Sequence, residues 1–155
     1  MKVALVGPYP PPAGGISVHV QRLASLLTSL WDVIVLDPYQ RTSAGSEQRV
    51  IGCGPPGVSS IFRVASALRR EHADIVHVHV SSMNRFAYGG HLLVSMLPRS
   101  ARRMLTIHSG SFVPDFRAAR WLTKMLIASL VKKFDLLVAV SSEIQAQLIK
   151  CGVRP

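Results

Sequence analysis

Acidic residues are scarce in this chain, with 8 Asp and Glu set against 18 Lys and Arg and a formal net charge of +10. Those few carboxylates are scattered, so no pair marks a hydrolase of the glycosidase kind. Cysteine is limited to Cys53 and Cys151. They have neither the spacing of zinc ligands nor the density of a disulfide framework, and read as free thiols in a reducing compartment. Aromatic residues make up only 6% of the chain, and no nucleic-acid recognition motif is present. Nucleic acid is therefore the weakest explanation of the positive charge. No uncharged run is long enough to span a bilayer. The apolar opening is also too short for a signal peptide before Pro8 and the prolines at 10–12. The expected compartment is the cytoplasm, with peripheral contact at a membrane left open.

Several nucleotide-binding and catalytic signatures are missing as well. The first glycine-rich loop is not G-x-G-x-x-G, which removes the nicotinamide reading, and no Gly-Lys-Ser/Thr follows it, which removes the P-loop reading. Gly110-Ser111 lacks the following glycine of a nucleophile elbow.

What remains is rich in buried-strand material: 155 residues, 48% of them hydrophobic and only 17% charged. That balance belongs to a folded chain with strands covered on both faces. The length fits one domain over residues 1–155. Short β-rich runs at 2–6, 33–36, 74–80, 103–107 and 134–140 alternate with helical periodicity at 16–30, 61–70, 85–97, 116–133 and about 142–150. Residues 39–57 read as loop with one weak strand near 49–51. Ser59 or Ser60 is the expected cap of the second helix. Ser142 is expected to cap the last one, with Gln145 completing a capping box and Gly152 stopping it. The pattern is α/β: a Rossmann-like parallel sheet with helices on both faces. Ligands of such sheets sit beyond the carboxyl ends of the strands. The loops at 7–15, 80–85 and 108–114, with the turn at 141–143, therefore matter most.

The strongest chemical signal is Gly14-Gly15, which opens a helix after a proline-rich loop. Two residues without side chains, joined to the unpaired N–H groups and partial positive charge of a helix start, make a phosphate or diphosphate site. The plainer reading is a proline-stiffened turn. His108 follows a strand and precedes Ser109-Gly110, a position from which an imidazole can meet a sugar hydroxyl or developing charge. His77 and His79 alternate along one strand and share a face. No third ligand lies near them in sequence, so no metal site is expected; His79, nearer the strand end, is the better ligand-side candidate. Arg117, Arg120 and Lys124 fall at helical spacing beside Trp121 and Met125. Such a face suits an anionic membrane surface, while an ordinary core-packed helix with a solvated basic side is the plainer reading.

Taken in order, Lys2-Val-Ala-Leu-Val-Gly-Pro-Tyr-Pro-Pro-Pro-Ala-Gly-Gly-Ile, Asp74-Ile-Val-His-Val-His, Thr106-Ile-His-Ser-Gly and Phe134-Asp-Leu-Leu-Val-Ala-Val-Ser-Ser resemble the N-terminal domain of the retaining family 4 glycosyltransferases. The resemblance spans nearly the whole chain and rests on the order of the segments, since no single one is specific. It implies half of a GT-B fold, in which a second domain, absent from this chain, holds most of the nucleotide-sugar. It further implies that Gly14 and Gly15 approach the donor diphosphate and that His108 lies beside the transferred sugar as the catalytic candidate. His79, Ser109, Gly110, Ser141 and Glu143 would then edge the cleft. The implied partners are a nucleotide-sugar donor and a glycan or lipid-linked acceptor, with no metal or other cofactor. The chain alone is expected to be inactive. The rival reading is a non-enzymatic module that anchors a separate catalytic subunit at a membrane.

Overall fold

The short β-rich runs, dominated by Val, Ile and Leu, form a parallel sheet in the computed structural model, which describes residues 1–40, 48–55 and 57–154. The strands are Lys2–Val6 (β1), Asp32–Asp37 (β2), Arg49–Gly52 (β3), Ile75–Val80 (β4), Arg102–Ile107 (β5) and Leu136–Ala139 (β6). The helices are Gly15–Thr28 (α1), Val58–Glu71 (α2), Met83–Met96 (α3), Phe112–Ala118 (α4), Trp121–Val131 (α5) and Ser142–Lys150 (α6). Every strand pairing is parallel, and the order across the sheet is β3-β2-β1-β4-β5-β6. Of the loop expected over 39–57, residues 41–47 and 56 lie outside the described residues; the weak strand expected near 49–51 is β3.

Alternation along each strand divides the core in two. Ala4, Val6, Ile34, Leu36, Val76, Val78, Leu105 and Ile107 face the larger cluster, where α2 to α6 contribute Leu68, Met83, Phe112, Ile127, Leu130 and Ile144. Val3, Leu5, Val33 and Val35 face the other way, onto Val20 and Ala24 of α1. Helices thus occupy both faces, five against one. Leu137 and Ala139 pack onto the larger cluster. Their strand neighbours Leu136 and Val138 point to the other face and are 51% and 37% exposed.

Two aspartates pin the N-terminal edge of the sheet by the same device. The Asp74 carboxylate accepts from the Lys2 amide at 2.7 Å while the Asp74 amide donates to the Lys2 carbonyl at 2.9 Å. Asp135 repeats the exchange with Arg103, at 2.7 and 2.8 Å. Each carboxylate satisfies an amide that the sheet ladder leaves unpaired. Glu71, buried at the same edge, is held by Lys2 (3.3 Å) and Arg49 (2.8 Å).

The helix boundaries depart from expectation in three places. The single helix expected over 116–133 is two, α4 and α5, separated at Ala119 and Arg120, where the backbone is extended. Neither Pro nor Gly marks this break. It arises in packing: Phe112 and Val113 turn into the core on α4, whereas α5 is tied across α3 by Tyr88 Oη to Thr123 Oγ1 (2.9 Å) and His91 Nε2 to the Leu126 carbonyl (3.0 Å). Helix α2 begins earlier than expected, with Gly57 at its N-cap; φ there is +150°, a conformation open to glycine and strained for other residues. Ser60, one of the expected caps, lies inside the helix and donates to the Gly57 carbonyl (2.7 Å). Finally, α6 is capped by Ser141, whose hydroxyl accepts from the Ile144 amide (3.3 Å), and Ser142 is its first residue. Gly152 ends that helix as expected, at φ +82°.

Candidate functional site

All the strands release their chain at one edge of the sheet, and the order reverses between β1 and β4. The segments leaving those two strands depart in opposite directions and leave a crevice, the usual ligand position in open parallel sheets. A cleft of about 860 Å³ lies there. Its walls are the first loop (Pro8, Tyr9, Gly14, Gly15), the turn after β2 (Asp37, Tyr39) and the end of β4 with the start of α3 (His79, Ser82, Arg85). A more open hollow of about 550 Å³ lies beside β3. The charged side chain lining it, Arg63, is engaged by the Gly54 carbonyl.

The first loop is held from below by Asp37. This residue is 1% exposed, and its two carboxylate oxygens accept from the amides of Tyr9 (2.8 Å) and Tyr39 (2.7 Å). Gln40 adds a side-chain bond to the Tyr9 carbonyl at 2.6 Å and another to the Pro11 carbonyl. The loop then delivers α1 to the cleft. The Ser17 hydroxyl accepts from the Gly14 amide (2.8 Å) and donates to the Pro12 carbonyl (3.0 Å). The first intrahelical bond runs from the Val18 amide to the Gly14 carbonyl (2.9 Å). The amides of Gly15, Ile16 and Ser17 therefore precede any helical acceptor, and all three residues line the cleft. Neither glycine is demanded by the fold itself. Gly14 has an extended φ of −155°, and a Cβ there would meet nothing nearer than Ser17 Oγ at 3.7 Å. A Cβ on Gly15 would meet nothing within 4 Å. The missing side chains keep space open at the cleft wall.

Behind this wall lies a group of four imidazoles. His77 and His79 share a face of β4, as their alternation requires, with ring centroids 4.1 Å apart. His77 Nε2 bonds Thr106 Oγ1 of β5 at 2.7 Å. His79 Nδ1 lies 3.1 Å from Nε2 of His108, which follows β5. His19 of α1 closes the group, with its ring centroid 5.6 Å from His79 and 4.8 Å from His108. Burial, with repulsion from His19 and His108, pushes the His77 pKa down to about 4. Burial, with repulsion from His77, His108 and His19, pushes His79 down to about 2. His108, half-buried, is lowered by burial and by His19. At neutral pH these three rings are therefore uncharged, although the chain as a whole is strongly basic.

The expectation that no third imidazole accompanies His77 and His79 fails in three dimensions. Parallel pairing of β4 with β5 brings up His108, and α1 folds His19 over both. His19 was not singled out in the sequence because it flanks the apolar stripe of α1 rather than interrupting it. Asp37 lies one residue beyond the apolar run at 33–36. Its signal was positional: a carboxylate closing an apolar strand just opposite the first loop.

The other predicted residues are distributed along the same edge. Ser109 Oγ bonds Ser111 Oγ (2.8 Å), which donates to Asp115 (2.7 Å), and Gly110 between them is exposed. Ser141 and Glu143 begin α6 beyond the end of β6; both are exposed and do not line the cleft. Arg117, Arg120 and Lys124 lie across the α4–α5 junction beside Trp121 (71% exposed) and Met125 (60%). Lys124 Nζ donates to the Arg117 carbonyl (2.8 Å).

The sheet, its crevice at the β1/β4 reversal and the glycine-opened helix on the crevice wall are those of a Rossmann-like domain, the kind from which GT-B glycosyltransferases are built. Residues 13–155 match Glycosyltransferase Family 4, and the chain belongs to that family. Among solved structures it is similar to an alpha-glucosyltransferase in complex with UDP and a 13-mer DNA containing a central A:G mismatch. The TM-score is 0.61 and the identity 12%, over 92% of this chain and 37% of that one. A search of curated proteins finds no match.

The Asp37 clamp has a measurable consequence. Asp37→Ala leaves the buried amide of Tyr9 and that of Tyr39 without their acceptor, at a cost of about 2–4 kcal/mol in urea unfolding. It also makes those two amides labile in hydrogen exchange. A loss below about 0.5 kcal/mol, the level of an uninvolved surface change, would show that the loop is held otherwise.

Proposed function

We propose that this chain is the acceptor-side domain of a retaining, metal-independent glycosyltransferase that works in the cytoplasm or at the inner face of a membrane. In this reading the enzyme moves a sugar from a nucleotide-sugar to a glycan or lipid-linked acceptor. A second domain supplies most of the donor site; the chain spans 37% of the similar alpha-glucosyltransferase. The observation that carries the proposal is the start of α1, where three first-turn amides and two residues without side chains border the cleft. As the bond from the anomeric carbon to the diphosphate breaks, negative charge gathers on the leaving oxygens. Amides fixed beforehand at that position stabilise it. His108, kept neutral and oriented by His79, offers the transferred sugar a hydrogen bond without adding charge. Ser109 and Gly110 leave room beside it, and Ser141 and Glu143 lie further along the edge toward the second domain.

A helix N-terminus contributes only about 0.3–1 kcal/mol toward an anion at an exposed site. The isolated chain should therefore hold the donor weakly and turn over negligibly. In the protein encoded by the complete reading frame, His108→Ala should lower kcat by on the order of 10²-fold, the scale of one lost transition-state hydrogen bond. Robust transfer by the 155-residue chain alone, or an unchanged kcat in the variant, would overturn the reading.

The α4–α5 surface supports the membrane part of the proposal, and equally the alternative of a non-enzymatic anchoring subunit. Exposed Trp121, Leu122 and Met125 adjoin Arg117, Arg120 and Lys124, the combination of apolar insertion and cationic attraction that anionic interfaces favour. Among the described residues no helix is long and apolar enough to cross a membrane. The chain is expected to co-sediment with anionic vesicles at low salt, and to be released by high salt or by Trp121→Ser with Arg120→Glu. Equal recovery with neutral and anionic vesicles would remove the membrane face.

A further inference from the structure

We propose that the arm of the cleft between α2 and α3, with Arg85 at its mouth, binds a lipid phosphate: an apolar chain joined to a phosphate group, with the sugar-accepting hydroxyl carried beyond it. The inference rests on the reading of this cleft as the acceptor side of a transferase, and it names the chemical class of the acceptor. The cleft is not confined to the polar crevice above β1 and β4. Ile61 and Val64 of α2, Phe86, Gly89 and Leu93 of α3, and Val78 of β4 also line it. None of these side chains can form a hydrogen bond. A glycan needs partners for its hydroxyls, and a wall without them suits hydrocarbon. Apolar surface also continues outward from the arm. Val58 lies three residues before Ile61 and four before Phe62, so the three are neighbours on the surface of α2. Val58 is 63% exposed and Phe62 50%. A Cβ on Gly89 would lie 2.8 Å from Ile61 Cδ1, so a larger residue there would narrow the arm.

Arg85 supplies the charge. It is exposed, lines the cleft, and has no hydrogen bond or ion pair among the described residues. Its position is unfavourable for the helix that carries it. The first turn of α3 holds no acidic residue, and the positive end of a helix repels a cation. An anion brought in by a ligand relieves that repulsion, and the planar guanidinium matches phosphate oxygens in pairs. Burial and Asp37 raise the Tyr39 pKa while Arg85 opposes them, so the guanidinium lies within electrostatic reach of Tyr39 on the cleft wall. Along α3, Arg85 is followed by Phe86, Gly89 and Leu93, a cation at the mouth and apolar wall behind it. A lipid phosphate has the same order, with charge at one end of a hydrocarbon chain. Free phosphate would engage Arg85 and leave the arm unused.

The test titrates the isotopically labelled 155-residue chain with decyl phosphate below its critical micelle concentration, with butyl phosphate and with inorganic phosphate. Saturable shifts are expected at the methyl groups of Ile61, Val64 and Leu93 with decyl phosphate alone. Affinity should rise from butyl to decyl phosphate, by up to about 4-fold for each methylene buried. Arg85→Ala changes an exposed side chain and should weaken decyl phosphate by about 10-fold, the scale of one charge-assisted hydrogen bond. Gly89→Leu should weaken decyl phosphate and leave butyl phosphate unchanged. Arg120→Ala, on the α4–α5 surface, should bind as the unaltered chain does. Equal affinity for butyl and decyl phosphate, unchanged binding in Arg85→Ala, or shifts confined to α4 and α5 would overturn the proposal. Shifts in the arm with maltotriose and none with decyl phosphate would assign it to a glycan instead. If inorganic diphosphate moves the first-turn amides of α1 while decyl phosphate leaves the arm unmoved, this inference falls and the transferase reading stands; if neither ligand binds, both fall.

Discussion

All six strands run the same way, and most of the molecule's chemistry follows from that constraint. Parallel strands bring every carboxyl end to one edge, so residues far apart in sequence, at 14, 37, 79, 108 and 141, emerge along a single line. The connections must cross from edge to edge, and the helices that make them cover the sheet. Reversal of strand order between β1 and β4 then opens a crevice at the one place where the crossing segments part. Asp74 and Asp135 fix the opposite edge. The two edges thus divide the labour, one setting register and the other presenting loops.

The coverage of the sheet is uneven, and the imidazole cluster lies where the uneven side begins. One face carries five helices over a continuous apolar cluster. Among the described residues the other carries α1 alone, over β1, β2 and β3. Where α1 gives out, the same face of β4 and β5 holds His77, His79 and Thr106 instead of aliphatic residues, with His108 just beyond the end of β5. Burial there is deep enough to keep the histidines neutral, while His19 at the margin keeps contact with solvent. In a chain of net charge +10, holding these rings neutral leaves anion attraction at the cleft to the amides of α1 and to Arg85 on the facing wall.

The fold was largely legible in the sequence because its strands are short, dense in β-branched residues and separated by helices of crossover length. The glycine pair and the strand-end histidine were legible for the same reason, since each abuts a strong element. The α4–α5 break was not, because two helices that bury one side in succession give the same periodicity as one. Nor was the cap of α6, since adjacent serines 141 and 142 offer the same hydroxyl and only the backbone angles choose between them. His19 and Asp37 were missed for a different reason. Asp37 joins Tyr39 to Tyr9, 28 residues away, and His19 meets His79 and His108, farther still. Pairwise meetings of that range come from strand order, which one-dimensional patterns do not carry.

The central claim is that the first turn of α1 makes the cleft between β1 and β4 an anion site. Amide chemical-shift mapping of the isotopically labelled chain, titrated with inorganic diphosphate, addresses it most directly, because it detects weak binding residue by residue. The account predicts saturable shifts concentrated at Gly14, Gly15, Ile16 and Ser17, with little change at the basic surface of α4 and α5. Shifts confined to Arg117, Arg120 and Lys124, or none at the start of α1, would contradict it.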